Sequence, residues 1–198
     1  MRPLKETVNT IVSALANPLG TKNHHIAGHQ ARVAQLACAI GQEMAVSPTL
    51  LKRLRVMGFL HDIGKIAIPK NILCKTSRLS AYEFNIMKDH PVIGYGILME
   101  MEFPRPIARA VLQHHERLDG SGYPLGLFGQ DILLEAKILS VADVTDAMIF
   151  SRPYRPAIDL KKSLKEISRH AGLLYDPDVV NACLSLFMDK GFTDQLTA

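Results

Sequence analysis

The strongest constraint on the fold of this 198-residue chain is the spacing of its apolar side chains, which recur at helical intervals along most of its length. In the segment 26–45, for example, Val33, Leu36, Ala37 and Ile40 fall on one face of a helix. Runs that alternate apolar and polar residues are too short to predict a β-sheet. The sequence therefore predicts one all-α domain.

Local signals place the expected helix boundaries. Ser47 followed by Pro48 is a typical N-cap, and Ser80 with Glu83 has the spacing of a capping box. The glycine-rich segment 119–126 interrupts the helical pattern. The longer helices are expected at residues 26–45, 48–64, 104–117, 132–149, 159–171 and 177–189.

The chain is expected to divide into a short N-terminal part, residues 1–20, and a main domain, residues 21–198. A short helix at about residues 3–16 fits a connector from another domain and a simple packing helix equally well. No run of about 18 uncharged apolar residues predicts a membrane span. Lys5 and Glu6 stand where a secretory signal needs an apolar stretch, so a cytoplasmic location is expected.

Charge and cysteine content exclude some classes of protein. The net charge of +4 is compatible with an anionic ligand, although an ordinary basic surface explains it more simply. The sequence lacks the dense Lys/Arg stripe with interleaved aromatics that is typical of binding to long nucleic acids. Cys38, Cys74 and Cys183 form no C-x-x-C motif, so neither a disulfide framework nor a thiolate zinc site is indicated.

The dipeptide His61–Asp62 is the first candidate for chemistry. It follows the apolar segment VMGFL, which places it at the edge of the core. A carboxylate buried there without a partner would be costly, and a metal ion is a natural partner. At a helix end both side chains can reach one centre, and the two oxygens of Asp62 can bridge two ions.

Other histidines and aspartates lie in similar apolar surroundings, so they too are expected to have partners. His114–His115 ends the segment IARAVLQ, and Asp143 lies within ILSVADVTDAM. His29 is close to the core-facing stripe of its helix, and His90 stands at a helix start.

Imidazole and carboxylate ligands together favour Fe, Mn, Zn or Ni over Mg or Ca. More than four ligands suggest two ions, which can share a hydroxide and act on phosphorus. The pattern alone therefore favours metal-dependent phosphate hydrolysis.

The order and spacing of these motifs resemble the HD-GYP domain, a branch of the HD phosphohydrolase superfamily. The resemblance covers about residues 21–190. It implies an all-α fold with a five-helix core and additional C-terminal helices. The matching segments are GHQARV, FLHDIGKIAIP, DHPVIGYGIL, HHERLDGSGYP, ILSVADVTDAM and SRPYRPA.

The resemblance also implies an activity and a ligand set. HD-GYP proteins of this kind hydrolyse cyclic di-GMP to pGpG and then often to GMP, by attack of a hydroxide that bridges two divalent transition-metal ions. Fe and Mn are the expected metals, with Ni, Co and Zn as alternatives. Asp62 would bridge an ion held by His29, His61 and Asp143 to one held by His90, His114 and His115.

Contacts with the substrate carry over in the same way. Lys65 would contact the scissile phosphate and act with Asp62 in catalysis. Gly122 and Tyr123 belong to the GYP turn, where the tyrosine would stack on a guanine. Asp146 would read a base or support the metal centre, and the planar forks of Arg152 and Arg155 would meet guanine or phosphate.

Some questions stay open at this stage. In some family members a glutamate one turn before the first histidine helps to hold a third metal. His25 stands at that position here, so two metals are expected, with His25 either exposed or at the rim. The same chemistry on 3′3′-cyclic GMP-AMP and a non-catalytic cyclic-dinucleotide sensor are the alternative functions. The sequence leaves open whether there is a regulatory domain or signalling partner, and it leaves the oligomeric state open as well.

Overall fold

The computed structural model describes residues 24–150 and 158–192, and for residues 24–27 it describes the backbone alone. The predicted helix at 3–16, the side chain of His25, and both Arg152 and Arg155 lie outside the described residues. The helices are α1 (His24–Glu43), α2 (Pro48–Leu60), a 3-10 helix (Ile63–Ala67), α3 (Lys70–Leu73), α4 (Ala81–Met87), α5 (His90–Glu100), α6 (Arg105–Gln113), α7 (Leu134–Ile149), α8 (Leu160–Arg169) and α9 (Pro177–Met188).

The predicted all-α architecture is confirmed: within residues 24–150 and 158–192 no β-strand forms. Helix α1 packs along α2 and α7, while α5 packs against α6 and the 3-10 helix. Helices α2, α6 and α7 contact one another, and α8 and α9 cover α7 from the C-terminal side. The five-helix core with added C-terminal helices is therefore present.

Two helix starts follow the predicted capping chemistry. The Ser47 side chain accepts a hydrogen bond from the Leu50 amide at 3.2 Å. Ser80 and Glu83 form the complete reciprocal capping box. Such caps satisfy amides that the first turn leaves without partners, and each stabilises its helix by about 1 kcal/mol.

The interior is apolar and tightly packed, and one glycine sets the distance between the first two helices. Leu36, Leu54 and Ile138 are fully buried, and each such side chain contributes about 1.5–3 kcal/mol to stability. A Cβ on Gly58 would lie 2.3 Å from the Cα of Ala34. Only glycine allows α1 and α2 to approach so closely, and this approach brings the histidines of the two helices together.

The chain departs from the predicted helix at 48–64, because α2 ends at Leu60 and residues 63–67 form a 3-10 helix. The tertiary packing of Gly64 explains the early end. A Cβ at this position would lie 2.0 Å from the carbonyl oxygen of His90, so the turn presses directly on α5. The short helix α3 was not predicted, and α6 ends at Gln113 rather than at residue 117.

Candidate metal centre

Six side chains from five helical segments converge in two groups of three. Within each group, the atoms able to bind a metal all lie within 4.8 Å of one another. The first group comes from α1, the end of α2 and the middle of α7, and the second from the start of α5 and the end of α6. The groups are His29, His61 and Asp143, and His90, His114 and His115.

Asp62 lies between the two groups and presents one oxygen to each. Its Oδ2 is 3.3 Å from His61 Nε2 and 3.8 Å from His29 Nε2. Its Oδ1 is 3.4 Å from His90 Nε2. The early end of α2 produces this arrangement, because the 3-10 helix redirects the chain just after His61.

Backbone carbonyls fix the orientation of three imidazole rings. Nδ1 of His61 donates to Gly58 at 2.8 Å, and Nδ1 of His114 donates to Val111 at 2.6 Å. His90 does the same with Met87 at 2.7 Å. A carbonyl oxygen can only accept, so each Nδ1 carries the hydrogen. Each Nε2 is thereby left to bind an ion in the centre.

A buried carboxylate orients the fourth ring. Asp146 Oδ2 accepts from His29 Nδ1 at 2.6 Å, and Asp146 Oδ1 accepts from Arg32 Nε at 2.6 Å. The Arg32 guanidinium in turn lies 3.9 Å from the centre of the Phe150 ring. Asp146 is 1% exposed, and both of its oxygens are engaged. This geometry favours orientation of His29 over contact of Asp146 with a guanine.

Electrostatics keep the two acids charged. Burial alone would raise the pKa of Asp62, but the neighbouring charge of Lys65 holds it well below its usual value. Burial also opposes ionisation of Asp143, and the hydrogen bond from His29 outweighs it and lowers that pKa well below normal. Both carboxylates are therefore in the ionised form that binds metal ions.

The second group of histidines is held neutral. Burial lowers the pKa of His114 to about 3. Burial also lowers the pKa of His90 and that of His115. Neutral imidazole is the form that binds a metal ion. These pKa shifts therefore remove the competition with protons near neutral pH.

His29 differs from the second group. Burial would lower its pKa, but hydrogen bonds to Asp143 and Asp146 raise it to about 9. A proton on Nε2 satisfies the surrounding acids, and a metal ion would take the place of that proton. Ion binding at the first group is consequently expected to release a proton.

The nitrogen and carboxylate atoms of this site are suited to bind metal ions. Nε2 of His61 is buried, and in the described part of the chain it has no hydrogen-bond partner. Nε2 of His29 faces the same centre, 3.2 Å from Asp143 Oδ1. Buried polar atoms are nearly always satisfied, so the His61 nitrogen calls for a ligand. Two groups of three nitrogen and carboxylate ligands, called trios from here on, with the Asp62 carboxylate between them, suit two transition-metal ions.

Lys65 joins this centre to a large cavity. Its Nζ donates to Asp62 Oδ2 at 2.6 Å, and its side chain is 23% exposed. The cavity measures about 960 Å³ and is also lined by His90, His115 and Tyr123. The space is large enough for a dinucleotide and lies directly against the second group of histidines.

The glycine-rich loop folds back on the end of α6. A Cβ on Gly122 would lie 2.4 Å from the backbone nitrogen of Arg117, so glycine is required by the close approach. The amide of Tyr123 donates to the carbonyl of His115 at 3.2 Å, and the tyrosine ring stacks on the His115 ring with centroids 4.7 Å apart. Gly122 therefore has a packing role, while Tyr123 links the loop to the metal centre.

Glu116 holds the far side of this loop and was not predicted from the sequence. Its carboxylate is 2% exposed and accepts from the amides of Leu125 at 2.7 Å and Leu127 at 2.9 Å. The signal was present, because an acid directly after His114–His115 faces the same cost of burial as Asp62. Arg32, the partner of Asp146, was also missed.

Glu116→Gln is expected to raise KM for the substrate roughly tenfold, because the amide group can accept only one of the two hydrogen bonds and turns a donor toward the other amide. Bound metal per chain should stay at the wild-type value, since both oxygens of the Glu116 carboxylate bond to the amides of Leu125 and Leu127. Steady-state kinetics and elemental analysis test this, with the exposed Glu100→Gln as control. An unchanged KM, or loss of metal, would show that Glu116 does not position the loop.

Comparison with known proteins agrees with this geometry. A family model for the HD domain matches residues 13–179. The cyclic di-GMP phosphodiesterase response regulator RpfG of Xanthomonas campestris pv. campestris is 37% identical over 186 residues, covering 93% of this chain and 49% of that protein. A cyclic di-GMP phosphodiesterase of Thermotoga maritima is 43% identical over 168 residues, covering 84% of this chain and 45% of that protein.

Two further comparisons bear on substrate and fold. The 3′3′-cGAMP-specific phosphodiesterase 3 of Vibrio cholerae is 34% identical over 183 residues, covering 91% of this chain and 40% of that protein. Bd1817, an HDG"Y"P protein from Bdellovibrio bacteriovorus, has a similar structure, with a TM-score of 0.69 and 22% identity over 91% of this chain and 60% of that chain. The latter similarity supports the fold.

These matches show that the chain belongs to the HD domain family. The chain spans slightly less than half the length of the relatives that it matches in sequence. Within the described residues, no helix combines the length and apolarity needed to cross a membrane.

Proposed function

We propose that this chain is a metal-dependent phosphodiesterase that hydrolyses cyclic di-GMP to linear pGpG and, in a second step, to GMP. The observation that carries the proposal is Asp62, whose two oxygens face two trios of metal-binding atoms. Relatives of the chain are named for hydrolysis of cyclic dinucleotides. A cytoplasmic location stays a prediction, and the question of a regulatory domain or signalling partner stays open.

Two divalent ions would be held by these residues, with His29, His61 and Asp143 on one, His90, His114 and His115 on the other, and Asp62 between them. Fe and Mn are the proposed metals, and Ni, Co and Zn suit the same ligands. Bound ions of this kind activate water and neutralise charge on a phosphate.

The residues of the chain supply orientation and charge for an in-line displacement. An oxygen from water bonds to phosphorus as the bond to the ribose 3′-oxygen breaks, and that oxygen leaves with a proton. The three carbonyl-bound rings and the Asp146-bound ring hold the ligand nitrogens in place before substrate arrives. Lys65, between Asp62 and the cavity, offsets negative charge that develops on the phosphate.

The GYP loop would present the dinucleotide to this centre. Tyr123 lines the cavity, and its ring stacks on His115, which supports its proposed role as a stacking surface for a guanine. Arg152 and Arg155 remain proposed contacts for guanine or phosphate on the basis of the family motif. Gly122 remains a proposed contact as well, through its backbone.

A second substrate has specific support, because three of the relatives are named for 3′3′-cGAMP. The described residues that line the cavity do not separate a guanine from an adenine at one position. Cyclic di-GMP is preferred because the relatives with the higher identities, 43% and 37%, are named for it.

An anaerobic turnover assay tests the function. Protein loaded with Mn²⁺ or Fe²⁺ is expected to convert cyclic di-GMP to pGpG, and kcat/KM for 3′3′-cGAMP is expected to be lower. Chromatography of the products against synthetic standards measures the turnover of each nucleotide. Metal-loaded protein that binds cyclic di-GMP and never cleaves it would instead identify a non-catalytic sensor.

A further inference from the structure

The cavity has a second wall that the metal ligands and the GYP loop do not form. This wall is built by residues 72–84, which run from the end of α3 through the connecting segment to the first turn of α4. Arg78 and Phe84 line it and share the cavity with Lys65. Their chemistry, a guanidinium and an aromatic ring, matches the two parts of a nucleotide.

The cations around the cavity differ in how much of their charge is free. Lys65 is paired with Asp62 at 2.6 Å, and Lys75 is paired with both oxygens of Glu83 at 2.7 Å. Arg78 has no carboxylate partner in the described chain. Its charge is therefore available to an anion that enters the cavity.

The two aromatic rings that line the cavity differ in how much of their surface is accessible. Tyr123 has one face covered by His115, with the two rings inclined by 29°. Phe84 is 44% exposed, and the Lys88 ammonium lies over one face of its ring, 5.0 Å from the ring centre. The Phe84 ring meets Tyr123 edge to face at 6.5 Å, so the two rings form adjacent sides of one aromatic corner. An exposed ring in such a position can stack on a base.

This inference rests on the proposed function. A cyclic dinucleotide has two phosphodiester groups, and while one lies at the metal centre the other must lie elsewhere in the cavity. We infer that Arg78 binds the phosphate that is not being cleaved and that Phe84 stacks on the base attached to that half of the molecule. The planar fork of Arg78 can pair with two phosphate oxygens at once.

Substitution of Arg78 separates this role from catalysis. Arg78→Ala is expected to raise KM for cyclic di-GMP roughly tenfold, with kcat within about twofold of wild type, because a charge-assisted contact away from the scissile bond is lost. KM of Arg78→Lys should lie between that of the wild type and that of Arg78→Ala, because lysine keeps the charge but not the planar guanidinium group. KM of the wild type should also rise more steeply with salt than KM of Arg78→Ala.

The control substrate is bis(p-nitrophenyl) phosphate, a phosphodiester without a second phosphate. Its hydrolysis by Arg78→Ala is expected to match that by wild type, and the exposed Arg109→Ala should leave both substrates unaffected. Equal losses on both substrates would show a structural effect and overturn the inference. An unchanged KM for cyclic di-GMP in Arg78→Ala would overturn it as well.

The stacking role of Phe84 is tested by comparing a variant that loses the aromatic ring with one that keeps it. Phe84→Leu keeps apolar bulk and is expected to raise KM for cyclic di-GMP about fivefold or more, whereas Phe84→Tyr should stay close to wild type. Equal KM values for Phe84→Leu and Phe84→Tyr would overturn the stacking role.

Direct binding separates failure of this inference from failure of the proposed function. If the wild type does not cleave cyclic di-GMP, calorimetric titration of the metal-loaded protein with that nucleotide decides the matter. Binding that Arg78→Ala weakens about tenfold would retain the inference and reject the reaction. Equal binding by wild type and variant, or absence of binding by the wild type, would reject the inference.

Discussion

Asp62→Ala is expected to lower turnover of cyclic di-GMP at least about a thousandfold. Asp62 is the residue that contacts both trios, so its loss removes the connection between them and the ion-pair partner of Lys65. Removing this buried charge also takes away the carboxylate 3.4 Å from His90 Nε2, whereas His29 and His61 still face Asp143. Steady-state turnover and bound metal per chain are the two measurements.

The exposed Asp189→Ala provides a matched control, because it removes a carboxylate from the end of α9 and not from the centre. It should retain wild-type turnover and metal content. Normal turnover by Asp62→Ala would exclude a mechanism in which the two trios work together.

Metal binding is expected to stabilise the fold strongly. Mn²⁺ at about 100 times its dissociation constant should add about 2.7 kcal/mol to the free energy of unfolding, since the ion binds the folded chain and not the unfolded one. For a chain of this size the gain corresponds to an increase of about 5–10 °C in Tm. The unpartnered Nε2 atom of His61 is the physical reason, because the ion satisfies it.

Thermal unfolding of chelator-treated protein, with and without Mn²⁺, measures this shift. A double variant that removes one ligand from each trio, His61→Ala with His114→Ala, should show little or no shift. Mg²⁺ should give a smaller effect than Mn²⁺, because imidazole is a poor ligand for it. An equal increase in Tm for the wild type and the double variant would place the stabilising ion elsewhere.

Much of the metal centre could be predicted from the sequence because its residues interrupt apolar helices. His61–Asp62, His114–His115 and Asp143 each follow or occupy a run that must be buried, so their polarity required an explanation. The resemblance to the HD-GYP domain then grouped them into two sets. The structure places those same side chains together, and their role as metal ligands stays a prediction.

The parts that could not be predicted depend on contacts between distant segments. Asp146 meets Arg32 across 114 residues, and no local pattern indicates that pair. The early end of α2 depends on the approach of Gly64 to α5, which a helical repeat does not reveal. The position of Glu116 directly after His114–His115 indicates burial, but its contacts with the amides of Leu125 and Leu127 depend on how the loop folds back.

The most direct test of the account is a titration of metal-free protein with Mn²⁺ under anaerobic conditions, with cyclic di-GMP cleavage followed at each step. The two trios bridged by Asp62 predict that turnover stays low through the first equivalent of metal and rises as the second one binds. Full turnover with a single equivalent, or no cleavage after two are bound, would contradict a two-metal phosphodiesterase.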